Sequence, residues 1–373
     1  MAIASMATVV NAADVDWLGL TSDVLDGANW SNGVGPTVFD RVKLGGSPNS
    51  PDLHGETMEW GQLYLNVSNN VADTGGGGVI SLSGPNHQIF TEGAENSTIA
   101  PAVVATGVIQ TNGQHNVTFN GNVTAQKLEA FGGSVITLNG VTTQTDEFMS
   151  IGGGSKIVIN GDFHWNNPNH GINNGPVLEL GPNAKFFRTG DVPGLDVFNL
   201  FNSAVVRLLA DNVLGTSGET DLWDRHGNST FDLNGFDQTV EFLATAGDQI
   251  ANPMKLDFGA MSGANKLIWD ASHNMDGTYS VLNFEQGLDT LEFGQHGNNG
   301  GFIPVNLAKI TVNGAPYLQS APGDGTAWWT AVSFGTEGRQ IAVYHAAVPE
   351  PACVILLATV MAFGAAIRGN RLR

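Results

Sequence analysis

Val117-Thr118-Phe119-Asn120-Gly121, Val135-Ile136-Thr137-Leu138-Asn139-Gly140, Ile157-Val158-Ile159-Asn160-Gly161 and Val177-Leu178-Glu179-Leu180-Gly181 are four versions of one phrase. Each is a short run rich in β-branched and aliphatic residues, closed by a turn residue, which is how a strand bounded by a turn reads. The closing glycine falls at 121, 140, 161 and 181, in steps of 19, 21 and 20 residues. A repeat of that length suits one rung of a parallel β-solenoid, in which each coil buries its apolar side chains only by stacking on its neighbours. Val79-Ile80-Ser81-Leu82 precedes the series, and Val205-Val206-Arg207-Leu208-Leu209 and Thr230-Phe231-Asp232-Leu233-Asn234-Gly235 follow at looser spacing, as inserted loops would produce. Asn-Gly also closes hairpins, so an antiparallel sandwich is the rival reading. Hairpin partners would recur every ~8–12 residues. The better-marked period favours the solenoid, with inward Val, Ile, Leu and Phe alternating with outward Thr, Ser and Asn.

Composition agrees with an extracellular all-β chain. The sequence has 49 Gly, 42% apolar residues and only 13% charged ones, with 15 Lys plus Arg against 35 Asp plus Glu and a formal charge of −20. Nucleic acid is a poor partner for such a chain, because binding it requires basic residues to neutralise phosphates. Cys353 is the only cysteine, so no intramolecular disulfide forms and burial alone holds the fold. Residues 1–13 read as a signal peptide that has lost its basic start. Ala2 to Val10 is small and apolar, and Ala12 or Ala13 offers the small residue a signal peptidase needs.

The solenoid is expected over residues 14–246, with its first coil capped by the stretch from Asp14 to Leu44. There Asp16-Trp17, Asn29-Trp30-Ser31, Pro36 and Asp40 form a pattern that resembles the opening of secreted Gly-rich β-solenoid proteins, autotransporter-like passengers among them. Trp17 and Trp30 either plug the first coil or stack on sugar rings, and plugging is the favoured account. Residues 247–346 read as a C-terminal β unit, either a small β-domain or terminal coils. Its strands are Lys266-Leu267-Ile268-Trp269-Asp270, Asp289-Thr290-Leu291-Glu292-Phe293-Gly294, Leu307-Ala308-Lys309-Ile310-Thr311-Val312 and Ala342-Val343-Tyr344.

The last segment, residues 347–373, has a different character. Val348-Pro349-Glu350-Pro351 is followed by an uncharged apolar run from Ala352 to Ile367 and then by Arg368, Arg371 and Arg373. The prolines fix an extended segment. The apolar run as a helix is about 24 Å long, a marginal transmembrane span against a hydrocarbon core of about 30 Å. The arginines hold the chain end on the cytoplasmic side, so the body faces outward. This order resembles the sorting tail of the PEP-CTERM family of bacterial surface proteins, with Pro349, Glu350 and Pro351 matching the motif. The strands before it are similar to the closing region of that family. The resemblance implies recognition by an exosortase, a membrane-embedded transpeptidase, after passage through the secretion machinery. It further implies transient anchorage in the inner membrane and delivery to the cell envelope, the cell surface or extracellular polysaccharide.

No engine is apparent. Lys127, Lys156, Lys185 and Arg188 form no row at the coil period. Asp146 with Glu147, and Asp221 with Asp224, are acid pairs of the kind glycoside hydrolysis uses, but they read better as solvated loop carboxylates. The chain lacks a Gly-x-Ser-x-Gly elbow, a P-loop and a His-Glu-x-x-His motif. Gly75 to Gly78 and Gly152 to Gly154 lack the Lys of a phosphate loop and read as turns. His164 with His170, or Asp270, His273 and Asp276, are the candidate metal ligands, and Ca²⁺ is the cation an acidic secreted protein would favour. No strict repeat supports it, so no cofactor is expected. The expectation is an exported, non-enzymatic envelope or matrix protein, structural or adhesive. The alternative is a carbohydrate-binding or polysaccharide-degrading β-helix, for which Phe163, Trp165, Trp223, Trp328 and Trp329 would have to line an outward groove.

Overall fold

The computed structural model describes residues 13–84, 87–145, 148–166, 171–173, 177–188, 197–214, 221–240, 243–245, 252–259, 264–269, 277–285, 288–293, 309–316, 328–334 and 339–345. Over these residues the chain is a parallel β-solenoid with almost no helix, the single helical turn being a 3₁₀ turn at Gly27–Asn29. A complete coil lays a strand on face one, then on face two, then on face three. In one coil these are Val108–Thr111, Asn116–Phe119 and Val123–Ala125, and Lys127–Ala130 then returns to face one. Face one is an 11-stranded sheet and face two a 12-stranded one. Face three is built from a seven-stranded sheet that ends at Lys185–Arg188 and a five-stranded one that resumes at Gln238–Val240.

Register shows why the phrase repeats. Val117, Ile136, Ile157 and Leu178 are Cα partners of one another in turn, and all four are fully or almost fully buried. Between them, Thr118, Thr137, Val158 and Glu179 form the outward column of face two. The column continues through Arg207, Asp232, Asp257 and Leu282, so face two runs across residue 247 and on to Ile310–Val312. Residues Met254 to Val312 therefore include terminal coils of the same stack. The described chain ends in antiparallel strands, Trp328–Phe334 against Arg339–His345, with the latter pairing with Thr290–Phe293.

The corners explain the glycines. Asn-Gly at 120–121, 139–140 and 160–161 turns the chain from face two to face three. A type I′ hairpin would need positive φ at both residues, but Gly121, Gly140 and Gly161 do not adopt it. They are required by proximity instead. A Cβ on Gly140 would lie 2.5 Å from the carbonyl oxygen of Gly121, and one on Gly161 would lie 2.3 Å from that of Gly140. The rival hairpin reading fails on this packing. Beside the glycines the asparagines form a ladder. Asn160 Nδ2 donates to Asn139 Oδ1 at 2.8 Å, and Asn139 Nδ2 donates to Asn120 Oδ1 at 2.8 Å.

The corner from face one to face two is a four-residue turn with positive φ at its centre, as in Phe131-Gly132-Gly133-Ser134, where Ser134 N donates to Phe131 O at 3.3 Å. The Gly152 to Gly154 run forms the same corner one coil later.

The N-terminal cap is a tryptophan plug. Trp17 and Trp30 meet edge-to-face with centroids 4.7 Å apart, and Trp30 meets Trp60 at 6.0 Å. All three are at most 2% exposed. Trp30 Nε1 donates to Val24 O at 2.9 Å, and Trp17 Nε1 to Asn49 O at 2.7 Å. The favoured plugging account holds, because rings sealed this way present no face to a sugar. The outer side of the cap is apolar in places, with Leu20, Leu25, Val34 and Phe39 each more than half exposed.

Candidate functional surface

The sorting residues Val348, Pro349, Glu350 and Pro351, and the basic cluster Arg368, Arg371 and Arg373, lie outside the described residues, as does residues 1–12 of the leader. Among the described residues no helix is long and apolar enough to cross a membrane. The apolar run 352–367 is not among them.

The candidate sugar platforms divide. Phe163 and Trp165 are fully buried, and Trp165 packs edge-to-face on Phe198 at 5.8 Å inside the stack. Trp223 is half-buried, and the Arg225 guanidinium sits 3.4 Å from its ring centroid, closing that face. Arg225 is held there by its Nε bond to Asn199 Oδ1 at 2.5 Å, and burial lowers its pKa. The side chains of Trp328 and Trp329 lie outside the described part.

The acid pairs do not assemble either. Asp224 points inward and is fully buried, with the amide and hydroxyl of Ser229 at 3.0 and 2.9 Å on its two oxygens. Burial raises its pKa, against the opposing bonds from Ser229, His226 and Gly227. Asp146 and Glu147, and the side chain of Asp221, lie outside the described part. Two of the scattered lysines are paired: Lys127 with Glu129 at 2.8 Å and Lys156 with Glu179 at 2.8 Å. Glu179 also meets Arg207 at 3.6 Å, and Arg207 meets Asp232 at 2.7 Å, an alternating ladder across four coils of face two.

Among the described residues no group of three or more His, Cys, Asp or Glu is placed to hold a metal. His164 stands on face three beside Asp162, its pKa lowered by burial. His170, Asp270, His273 and Asp276 lie outside the described residues.

One arrangement has the outline of a nucleophile and its base. Ser97 Oγ is 2.9 Å from His115 Nε2, and His115 Nδ1 is 3.0 Å from the backbone oxygen of Glu92. Both side chains are sealed in the interior, at 2% and 0% exposure, so no substrate atom reaches the hydroxyl. The pair belongs to an inner polar seam at the corner between faces one and two. In later coils the seam holds Thr111 with Ser134 at 2.8 Å and Ser155 accepting from Gly133 N and Ser134 N.

The outward side of face one supplies the surface that sequence reading missed. Its column runs Asp16, Lys43, Tyr64, Phe90, Gln110, Glu129. Tyr64 and Phe90 stack with centroids 5.8 Å apart and planes 12° apart. Arg41 and Lys43 approach the Tyr64 ring at 5.8 and 6.0 Å, and both pair with Asp14 at 2.6 Å. The bond from Lys43 is the main reason that the Asp14 pKa is lowered. Tyr64 Oη donates to Glu92 Oε2 at 2.6 Å, which raises the tyrosine pKa. The signal was available in period-two alternation, since Tyr64 stands between buried Leu63 and Leu65 and must face out. The rings stand in a column along the stack, so their neighbours cover the faces and the edges meet solvent. The strip suits hydrogen bonding to a polar polymer more than stacking under a sugar ring.

No family model matches this chain, and no curated protein or solved structure matches it either.

Proposed function

We propose that this chain is an exported, non-enzymatic scaffold of the cell envelope or extracellular matrix, structural or adhesive. In this reading it passes through the secretion machinery, is held by its C-terminal apolar segment in the inner membrane, and is handed on by an exosortase-like transpeptidase that reads Val348 to Pro351. The observation that carries the scaffold half is the way surface polar groups are used. Asn120, Asn139 and Asn160, then Lys156, Glu179, Arg207 and Asp232, and then Asp14, Lys43, Tyr64 and Glu92, bond to the coil above or below. Side chains committed to coil-to-coil bonds hold a stack rigid. The delivery half is supported by the order Pro-Glu-Pro, apolar run, arginines. Mass spectrometry of the mature C terminus from native cells tests it. Loss of everything after the Pro-Glu-Pro segment supports sorting, and a retained apolar tail makes the segment a permanent anchor.

A second reading, binding of extracellular polysaccharide, is favoured by the outward Tyr64–Phe90 pair flanked by Arg41, Lys43 and Glu92. Retention on the host's own matrix polysaccharide, abolished by Tyr64→Ala with the fold intact, would support it. Equal retention of the variant would remove it.

A further inference from the structure

We infer that the core holds one structural water between Thr142 and Gln144, on the inner side of face three. The strand Thr142–Gln144 turns both side chains inward, at 1% and 0% exposure. The Thr142 hydroxyl and both the oxygen and the nitrogen of the Gln144 carboxamide have no hydrogen-bond partner among the described residues. Three unpaired polar atoms from two side chains would each carry the full desolvation penalty of a buried polar group in a dry core. A single buried water that takes about three bonds removes that penalty.

The site also has the right shape. Residues two apart on a strand face the same way about 6.6 Å apart, a gap one water bridges with bonds of about 2.8 Å. In the preceding coil the partner of Gln144 is Ala125 and that of Thr142 is Val123, and in the following coil the partners are Trp165 and Phe163. The long carboxamide thus lies between a methyl group on one side and a bulky ring on the other. At the corner between faces one and two the buried polar side chains are instead bonded to protein, as Thr111 is to Ser134 and Ser97 to His115.

A crystal structure of the full chain tests the inference, with Thr142→Val and Gln144→Leu as variants. The expected result is a density peak within hydrogen-bond distance of the Gln144 amide and Thr142 Oγ1. Thr142→Val should lose or weaken that peak and raise the unfolded fraction about fivefold, the loss of about one hydrogen bond. Oxygen-17 relaxation of the water in solution should show one fewer long-lived water in Gln144→Leu, which reads out even where a variant does not crystallise. An empty site, a carboxamide bonded to protein, or a Thr142→Val variant as stable as the parent would each overturn the inference.

Discussion

Gly140 lies directly against Gly121, one coil on, so closely that a methyl group on the first would stand 2.5 Å from the carbonyl oxygen of the second. Asn139 and Asn120, the residues before them, are bonded side chain to side chain across the same step. The Asn-Gly phrase is thus a two-residue device: the amide holds adjacent coils together and the glycine lets their backbones touch.

Gly140→Ala should therefore lower stability by about 1–3 kcal/mol through overpacking against backbone that cannot move aside. Gly45→Ala is the control, because its nearest neighbour would be Asn66 Oδ1 at 3.8 Å and its φ is not positive. It should be neutral or slightly stabilising. Urea denaturation of the two variants reads the difference.

Removing the central ring of the plug should open the first coil. Trp30→Ala deletes a side chain that is 1% exposed and in contact with Trp17 and Trp60, and should cost about 3–5 kcal/mol. Hydrogen exchange should rise first in Asp14–Asp16 and Arg41–Leu44 while the middle coils keep their protection.

Asp224 and Asp52 should respond to acid in opposite directions. Asp224 has a raised pKa in the fold because it is buried. The folded state then binds its proton more tightly than the unfolded state does. Its cost, present at neutral pH, is relieved as pH falls through the folded value. For Asp52, burial pushes upward, but bonds from Thr74 and His54 outweigh it and the net shift is down. Its stabilisation is present above the unfolded value and lost as pH falls through the folded one. Melting temperature followed against pH should rise less on mild acidification in Asp224→Asn than in the parent, and a parallel curve would contradict the assignment.

Arg207 joins two carboxylates, Glu179 at 3.6 Å and Asp232 at 2.7 Å, whose side chains are only 10% and 11% exposed. Arg207→Gln takes the cation from Asp232 and leaves Glu179 with Lys156 alone. Arg207 is itself 38% exposed, so solvent screening limits the loss to about 1 kcal/mol. The loss should shrink at high salt, as thermal denaturation at two ionic strengths would report.

Much of the stack was legible because its rungs in the middle of the chain are short. Residue 117 pairs with 136 and 136 with 157, and no insertion blurs the step. Beyond Leu180 the partners drift apart, Leu178 with Val206 and Val281 with Val312, so terminal coils resembled a separate unit. The inner polar residues were illegible for a different reason. His115, Ser134 and Ser155 follow glycine-rich corners and read as turn residues, although their side chains point into the core. The outward aromatics were less legible because Tyr64 and Phe90 sit in ordinary strand alternation with no motif around them, whereas Trp165, a more conspicuous candidate, is fully buried.

Spacing along face two tests the stacked-coil account most directly. Cysteines placed at Thr98, Thr118 or Thr137 and paired in turn with one at Leu282, in a chain whose only native cysteine has been replaced by Cys353→Ala, carry spin labels on one outward column. At about 4.8 Å per coil the backbone separations are about 38, 34 and 29 Å. The account predicts that pulsed electron–electron distances fall by one strand spacing for each coil moved. Distances that fail to step in that order would contradict it.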